Sequence, residues 1–260
     1  MNGKYVKKYT VGCGDMDINY HLTKIAAVKF FQETFALNCA KNNVAAFDVI
    51  KQNMVWVISD LHVQFLGKMP YWSEEFEVEM WISEKTKLRT YSDFKIFYRG
   101  HLIAQGDSCW YLLDMETRRP VKTDGILDSF AVCDEKVFGS HEKHNYLISG
   151  REIAKKEHQV TVRDLDFNYH VNNLSYIGLA LETIPPEYLD EYCVFDYKVK
   201  FVQEARLSDV LVCEIFENGR NFDIKINQKS DNSDVCFISA LCCEKTETGR
   251  NPREAGIVFE

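Results

Sequence analysis

The chain has 260 residues, of which 46% are hydrophobic and 27% charged, and its formal net charge is −8. This composition supports a folded core and excludes a disordered chain, and the length suits one large domain or two smaller ones. The acidic balance argues against a nucleic-acid-binding protein. No stretch is apolar over the length of a membrane-spanning helix, and the first residues lack the pattern of an export signal.

The nine cysteines are scattered along the chain and never form a Cys-x-x-Cys pair. In the absence of an export signal, this usage indicates reduced thiols in a cytoplasmic protein. The pattern predicts no metal site, and we expect no cofactor. Short basic runs such as Lys7–Lys8 and Lys155–Lys156 are either solvated strand edges or a docking patch for an acidic carrier protein, and the sequence leaves both open.

In chain order, an alternating segment at Tyr5–Val11 predicts a strand, and a long helical pattern follows from about Thr23 to Lys41. Four strand-like runs come next, at Val55–Phe65, Glu75–Ile82, Thr90–Tyr98 and Leu102–Leu112. The stretch from about 116 to 150 is polar and irregular, which is typical of a linker, and one short helix is expected around Ile126–Val132.

The second half repeats this order. An alternating segment at His158–Val162 precedes a helical pattern from about Asn172 to Ile184, which Pro185 and Pro186 terminate. Four strand-like runs follow, at Tyr192–Phe201, Val210–Phe216, Phe222–Gln228 and Val235–Cys242. Each half therefore predicts an α+β unit in which one long helix packs on an antiparallel sheet. We expect an N-terminal domain at 1–130, a linker at 131–152 and a C-terminal domain at 153–260.

A repeated heptad supports this two-unit organisation. Residues 15–21 read Asp-Met-Asp-Ile-Asn-Tyr-His, and residues 164–170 read Asp-Leu-Asp-Phe-Asn-Tyr-His. Five of the seven positions are identical, and the two copies lie 149 residues apart. Each copy stands between a predicted strand and a predicted long helix, so the repeat indicates two copies of one structural unit.

The second copy extends to Asp-Leu-Asp-Phe-Asn-Tyr-His-Val-Asn-Asn at 164–173 and continues as Leu-Ser-Tyr-Ile-Gly at 174–178. This stretch resembles the motif of the acyl-acyl carrier protein (acyl-ACP) thioesterases of plants and bacteria, with supporting matches at Tyr197–Glu204 and Thr117–Pro120. The resemblance covers essentially the whole chain. It implies a tandem double hotdog fold, in which a curved antiparallel sheet wraps each long helix and the two units form one pseudo-dimer.

The resemblance also implies an activity and its residues. The activity is hydrolysis of fatty acyl-ACP to free fatty acid and holo-ACP, and the functional residues are Asp166, Asn168, His170 and Glu204. The family often has a cysteine directly after this glutamate, whereas this chain has Ala205, which excludes a cysteine nucleophile there and leaves an activated water. We expect Glu204 to take the proton from water while Asp166 orients the reactants, and an exchange of these two roles stays open.

The start of the second helix is expected to stabilise the oxyanion. Its first backbone N–H groups, near Val171–Asn173, lack intrahelical partners, and we assign Asn172 and Asn173 to oxyanion or substrate binding. Asp and Asn residues before a helix are also common as simple helix caps, which is the plain structural alternative.

The first heptad lacks part of this set. The second copy has Glu204 three residues after Phe201, whereas the first copy has Lys68 three residues after Phe65. We therefore expect the polar residues of the first heptad to be structural or vestigial; they are Asp15, Asp17, Asn19 and His21. The first half then supplies the acyl-chain pocket. Its candidate wall residues, which are also ordinary core candidates, are Met54, Trp56, Phe65 and Met69.

Other functions stay open at this level. An acyl-CoA thioesterase would use the same fold and similar residues, and a non-catalytic acyl-binding protein or a structural interaction module would need neither carboxylate. The expected partner is an acyl carrier protein that presents its acyl-phosphopantetheine arm. A homodimer is a further possibility that the sequence does not decide.

Overall fold

The computed structural model describes residues 3–141 and 146–244. The chain divides into two compact units, Met1–Lys143 and His144–Glu260. The first unit contains β1 (Lys4–Thr10), α1 (Lys24–Lys41), α2 (Ala46–Val49), β2 (Met54–Phe65), β3 (Glu75–Lys85), β4 (Thr90–Tyr98) and β5 (His101–Asp114). Its strands pair antiparallel in the order β1-β3-β4-β5-β2.

The second unit repeats this topology. It contains β6 (Arg151–Gln159), α3 (Asn173–Thr183), α4 (Pro186–Glu191), β7 (Tyr192–Phe201), β8 (Val210–Asn218), β9 (Asn221–Gln228) and β10 (Asp234–Glu244). Its strands pair antiparallel in the order β6-β8-β9-β10-β7, which matches the first unit strand for strand. The predicted α+β unit of one strand, one long helix and four antiparallel strands is confirmed in both halves.

The two long helices begin at capping side chains. Thr23 Oγ1 accepts from Ala26 N over 3.0 Å before α1, and Asn172 Oδ1 accepts from Leu174 N over 2.9 Å before α3. Helix α1 buries successive residues from Ala26 to Val28, so more than one of its faces is covered. Within the described ranges, none of the helices is long and apolar enough to cross a bilayer.

Two predicted elements were wrong. The strand expected at His158–Val162 is β6, which starts at Arg151 and ends at Gln159. Most side chains of this edge strand are exposed or half-buried, so it shows no apolar alternation that could mark its start. The short helix expected at Ile126–Val132 is a series of turns instead, in which Leu127 and Phe130 are buried. Two buried residues at helical spacing suggested the helix, but burial at that spacing also occurs in a packed turn.

Part of the predicted linker packs on the first unit. Residues 133–141, called the covering segment below, lie on the sheet face opposite α1. Trp81 Nε1 donates to the carbonyl of Glu135 over 2.6 Å, and Val137 N donates to Asp93 Oδ1 over 2.7 Å. Phe138 stacks on His62 with 3.8 Å between ring centroids. The domain limits stay a prediction, but residues 133–141 pack on the sheet of the first unit.

The covering segment ends on a cluster of charged groups. Asp93 and Asp107 lie directly opposite each other on β4 and β5, and His141 reaches both, with Nε2 3.6 Å from Asp93 Oδ2 and Nδ1 3.2 Å from Asp107 Oδ2. Ser83 Oγ lies 2.8 Å from His141 Nε2. Asp93 is fully buried, and burial raises the pKa of its carboxyl to about 6.

Candidate active site

The loop that precedes α3 is built around Asp166. Its Oδ1 accepts from Asn168 N over 2.7 Å and from His170 N over 3.3 Å, and its own N–H donates to the carbonyl of His170 over 2.8 Å. Tyr169 adopts the left-handed region with φ 61°, which is costly for a bulky residue and turns the chain sharply here. Asp166 therefore folds the loop that presents His170.

Glu204 meets this loop from the segment after β7. Its Oε2 lies 3.3 Å from His170 Nε2, and the two side chains are 32% and 19% exposed, so the pair is accessible but partly shielded from water. The backbone holds the two segments together, because Val171 N donates to the carbonyl of Ala205 over 2.9 Å and His170 pairs with Arg206 in a β-bridge. Two residues that the sequence places 34 positions apart form one carboxylate–imidazole pair.

The start of α3 differs from the oxyanion site that we expected. The N–H of Val171 donates to Ala205 and the N–H of Asn172 donates to the carbonyl of Asp164, so neither group is available for a substrate. The side-chain oxygen of Asn172 caps the helix at Leu174 N. Of the expected set, the N–H of Asn173 remains, and within residues 146–244 it has no protein acceptor.

The first heptad forms the same loop. Asp17 Oδ1 accepts from Asn19 N over 2.8 Å and from His21 N over 3.1 Å, and Tyr20 has φ 64°. The carbonyl of Pro70 accepts from Leu22 N over 2.9 Å, as that of Ala205 accepts from Val171. The Asp-x-Asn-x-His sequence therefore specifies the same loop conformation in both units.

The partner of the histidine differs between the units. In the first unit His21 lies edge-on against Tyr71, with 5.5 Å between ring centroids, and these two residues form the β-bridge that His170 and Arg206 form in the second. The connection from Phe65 to Tyr71 is one residue longer than that from Phe201 to Arg206. If residues are counted forward from Phe65, which corresponds to Phe201, the equivalent of Glu204 is Lys68. If they are counted back from Pro70, which corresponds to Ala205, the equivalent is Met69. Neither residue is a carboxylate.

The predicted pocket residues lie in the first unit with different exposure. Met54 and Phe65 are buried, whereas Trp56 and Met69 are half-buried. The Trp56 ring meets Phe35 of α1 edge-on at 5.5 Å, and its Nε1 donates to the carbonyl of Val44 over 2.8 Å. Trp56 is thus fixed on the helix side of the sheet.

One residue near Glu204 was missed by the sequence argument. Tyr176, on α3, accepts a hydrogen bond from Ala205 N over 3.0 Å through its hydroxyl. It lies within the quoted motif stretch, but an apolar-face tyrosine on a helix carries no signal of its own. Among the described residues no group of three His, Cys, Asp or Glu side chains has the arrangement of a metal site.

Comparisons with known proteins follow the same division of the chain. Residues 2–130 match the acyl-ACP thioesterase N-terminal domain, and residues 146–239 match the acyl-ACP thioesterase C-terminal domain. The chain belongs to the acyl-ACP thioesterase family. The predicted resemblance is confirmed.

Curated relatives and solved structures extend this match. Oleoyl-acyl carrier protein thioesterase 2, chloroplastic, of Arabidopsis thaliana is 28% identical over 228 residues, which cover 80% of this chain and 61% of the relative. The chloroplastic oleoyl-acyl carrier protein thioesterase of Coriandrum sativum is 26% identical over the same shares. The chain thus spans about 61% of the length of these relatives.

The structural matches establish the fold. An acyl-ACP thioesterase from Bacteroides thetaiotaomicron superimposes with a TM-score of 0.82 at 22% identity, over 93% of this chain and 98% of that one. The 12:0-ACP thioesterase from Umbellularia californica gives 0.80 at 18% identity, over 94% and 99%. Each unit has the hotdog fold, as the resemblance predicted.

Proposed function

We propose that this protein hydrolyses fatty acyl-ACP thioesters to free fatty acid and holo-ACP. Family membership gives the reaction class, and the His170–Glu204 pair, 3.3 Å apart in the second unit, is the observation that carries the proposal. The corresponding position of the first unit is Lys68 or Met69. We therefore assign the chemistry to the second unit.

In this proposal Glu204 is the general base. A carboxylate can take a proton from water as the water attacks the thioester carbonyl, a contribution of roughly 10²–10⁴-fold. His170, in contact with Glu204, orients the same water. The proton passes from Glu204 to His170 and from there to the thiolate that departs when the C–S bond breaks. The alternative in which Asp166 is the base is less favourable, because its Oδ1 already accepts two backbone N–H groups of its own loop.

The developing oxyanion needs donors, and two candidates remain at the site. The N–H of Asn173 opens α3, where the helix dipole favours negative charge, and the half-buried Asn168 carries an amide on the loop beside His170. A good oxyanion donor is commonly worth about 3 kcal/mol. We assign Asn168 and Asn173 to this role and Asn172 to capping the helix.

The acyl chain is proposed to bind in the first unit, with Met54, Trp56, Phe65 and Met69 as wall residues. Relatives are named for oleoyl, palmitoyl and dodecanoyl groups, so membership in the family leaves the preferred chain length open. Each buried methylene contributes about 0.8 kcal/mol, so selection between neighbouring lengths requires a side chain that blocks the pocket.

The compartment and the partner are part of the same proposal. All nine cysteines are free thiols, which supports a reducing compartment such as the cytoplasm, although the plant relatives are named chloroplastic. The proposed partner is an acyl carrier protein, and a homodimer stays a prediction. The Lys155–Lys156 run pairs with Glu214 and Glu182, which supports a strand edge rather than a docking patch at that position.

The test is release of free fatty acid by the purified protein from matched acyl-ACP and acyl-CoA panels. We expect turnover of the carrier-bound series with a chain-length cutoff, and loss of that turnover in Glu204→Gln. Faster turnover of the CoA series would keep the site and replace the carrier. No release from either series, with acyl-ACP still bound, would contradict hydrolysis and leave an acyl-binding protein.

A further inference from the structure

A buried hydrogen bond ties helix α3 to the segment that carries Glu204. Ala205 N donates to the Tyr176 hydroxyl over 3.0 Å, and the two residues are 0% and 3% exposed. Burial raises the pKa of Tyr176, so its hydroxyl keeps its proton at neutral pH. The carbonyl of Ala205 is also held, because it accepts from Val171 N over 2.9 Å. Both backbone groups of Ala205 are therefore fixed by the chain around the start of α3.

These two bonds act on neighbours of the candidate catalytic pair. Glu204 directly precedes Ala205, and His170 directly precedes Val171. The bond from Val171 fixes one side of Ala205, and the bond to Tyr176 fixes the other. Both bonds therefore hold the backbone next to Glu204, whose Oε2 lies 3.3 Å from His170 Nε2.

The first unit retains one of these bonds and lacks the other. Pro70 takes the place of Ala205, and its carbonyl accepts from Leu22 N over 2.9 Å. Proline has no N–H to donate. Ala27, four residues after the capping Thr23 as Tyr176 is four residues after the capping Asn172, has no hydroxyl to receive one. Donor and acceptor are both absent in the unit that has Lys68 or Met69 at the position of Glu204.

We propose that Tyr176 is a positioning residue for the thioester hydrolysis: its hydroxyl holds the backbone at Ala205 and thereby keeps Glu204 in contact with His170. The inference rests on the proposed function for its kinetic effect and on the structure for the contact itself. Tyr176 acts through Glu204, because its hydroxyl contacts the backbone of Ala205 rather than the reacting atoms.

The first experiment compares Tyr176→Phe with the wild type and with Glu204→Gln in steady-state hydrolysis of acyl-ACP. We expect kcat to fall 5- to 50-fold in Tyr176→Phe with KM within twofold. In the Glu204→Gln background the same change should lower the residual kcat less than twofold, because the group that Tyr176 positions is already gone. Tyr188→Phe, which removes a hydroxyl near Glu217 far along the same unit, is the matched control and should leave kcat unchanged.

A second variant separates positioning from stability. Tyr176→Phe leaves the buried N–H of Ala205 without an acceptor, which can lower Tm. Adding Ala205→Pro removes that N–H and reproduces the arrangement at Pro70. We expect the double variant to recover part of the lost Tm while kcat stays low. Recovery of kcat along with Tm would overturn the proposal, because the hydroxyl would then serve stability alone.

Two further results would also overturn it: wild-type kcat in Tyr176→Phe, or an equal loss of kcat in the wild-type and Glu204→Gln backgrounds. Turnover by the wild-type protein tests the proposed function separately. If the wild type hydrolyses no thioester, crystal structures of the wild type and Tyr176→Phe still test the contact. We expect the Nε2–Oε2 separation of His170 and Glu204 to lengthen beyond hydrogen-bond distance in the variant, and an unchanged separation would contradict the inference.

Discussion

The two units fold one heptad into the same loop and use it differently. Asp17 and Asp166 each accept two backbone N–H groups of their own loop, at distances that agree within about 0.2 Å. In the second unit Glu204 lies against the histidine, whereas the position that corresponds to Glu204 in the first unit is Lys68 or Met69. The loop motif and the carboxylate–imidazole pair are therefore separable: the heptad specifies the loop, and Glu204, which lies outside the heptad, supplies the carboxylate of the proposed site.

The two loops also differ in their exposure to solvent. Asp17 and Asn19 are exposed, whereas Asp166 and Asn168 are half-buried. Partial burial strengthens electrostatic interactions and limits competing water, which suits the second loop for chemistry and the first for structure. The comparison makes paired substitutions at equivalent positions the sharpest test of which unit is active.

The largest expected effect is at the two histidines. His170→Gln should lower kcat by about 10²-fold or more, because glutamine can hydrogen-bond but cannot transfer a proton. His21→Gln, the matched variant, should change kcat less than twofold, since the first unit has Lys68 or Met69 where the second has Glu204. Steady-state hydrolysis of acyl-ACP checks both. Equal losses from the two variants would mean that both loops take part in turnover.

Substitution of the two loop aspartates should separate stability from activity. Asp166→Ala and Asp17→Ala each remove an acceptor of two backbone N–H groups, so we expect each to lower the free energy of unfolding by about 1–2 kcal/mol. Only Asp166→Ala should also lower kcat, by at least about tenfold, because it releases the loop that holds His170. Urea denaturation and initial rates measured on the same samples distinguish the two effects.

Two equivalent aspartates lie on the sheet faces opposite the helices, and we expect their substitution to change the free energy of unfolding in opposite directions. Asp93 and Asp223 occupy matching positions on β4 and β9, but Asp93 is fully buried, whereas Asp223 is half-buried and accepts from Ser149 N and Oγ at 3.2 and 2.9 Å. Because burial raises the pKa of Asp93 from 3.8 to about 6, the folded state binds its proton more tightly than the unfolded state does. Stability from this group is present below pH 4 and is lost as pH rises through 6.

Asp93→Asn should therefore raise the free energy of unfolding at pH 8 by up to about 3 kcal/mol and leave it nearly unchanged at pH 4. The amide oxygen can still accept from Val137 N. Asp223→Asn should lower stability slightly instead, because it weakens the bonds from Ser149. Denaturant titrations at both pH values check the pair. A fall in stability at pH 8 for Asp93→Asn would mean that its attraction to His141 outweighs the burial of its charge.

The smallest expected effect is at the apolar residues of the loops. Phe167 and Ile18 are equivalent and 68% and 94% exposed, too much to contribute to either core. Phe167→Ser should raise KM for acyl-ACP two- to fivefold with kcat unchanged, because an exposed aromatic ring beside the catalytic loop is suited to contact the substrate arm. Ile18→Ser should leave both constants unchanged. A matching rise in KM for Ile18→Ser would place substrate contacts at the first loop as well.

Sequence patterns predicted the elements well where side-chain burial alternates regularly. The limits of β4 and β7 were predicted to the residue, and the predicted helix starts, at about Thr23 and about Asn172, fall on the residues that cap α1 and α3. The predictions failed where an element is stabilised by contacts rather than by its own periodicity. Strand β6 is a charged edge strand, and residues 126–132 bury Leu127 and Phe130 without forming a helix.

The features of the candidate site also divide into those that the sequence predicted and those that required the tertiary structure. The sequence by itself determined the two-unit organisation and the family, and it predicted the four site residues around the second loop, because a local motif and its resemblance need no long-range information. Only the tertiary structure decided that Glu204 faces His170, that the N–H of Val171 is committed to the carbonyl of Ala205, and that the Tyr176 hydroxyl holds the N–H of Ala205. Each of these depends on a distance between segments far apart in the chain, which packing sets and local sequence does not encode.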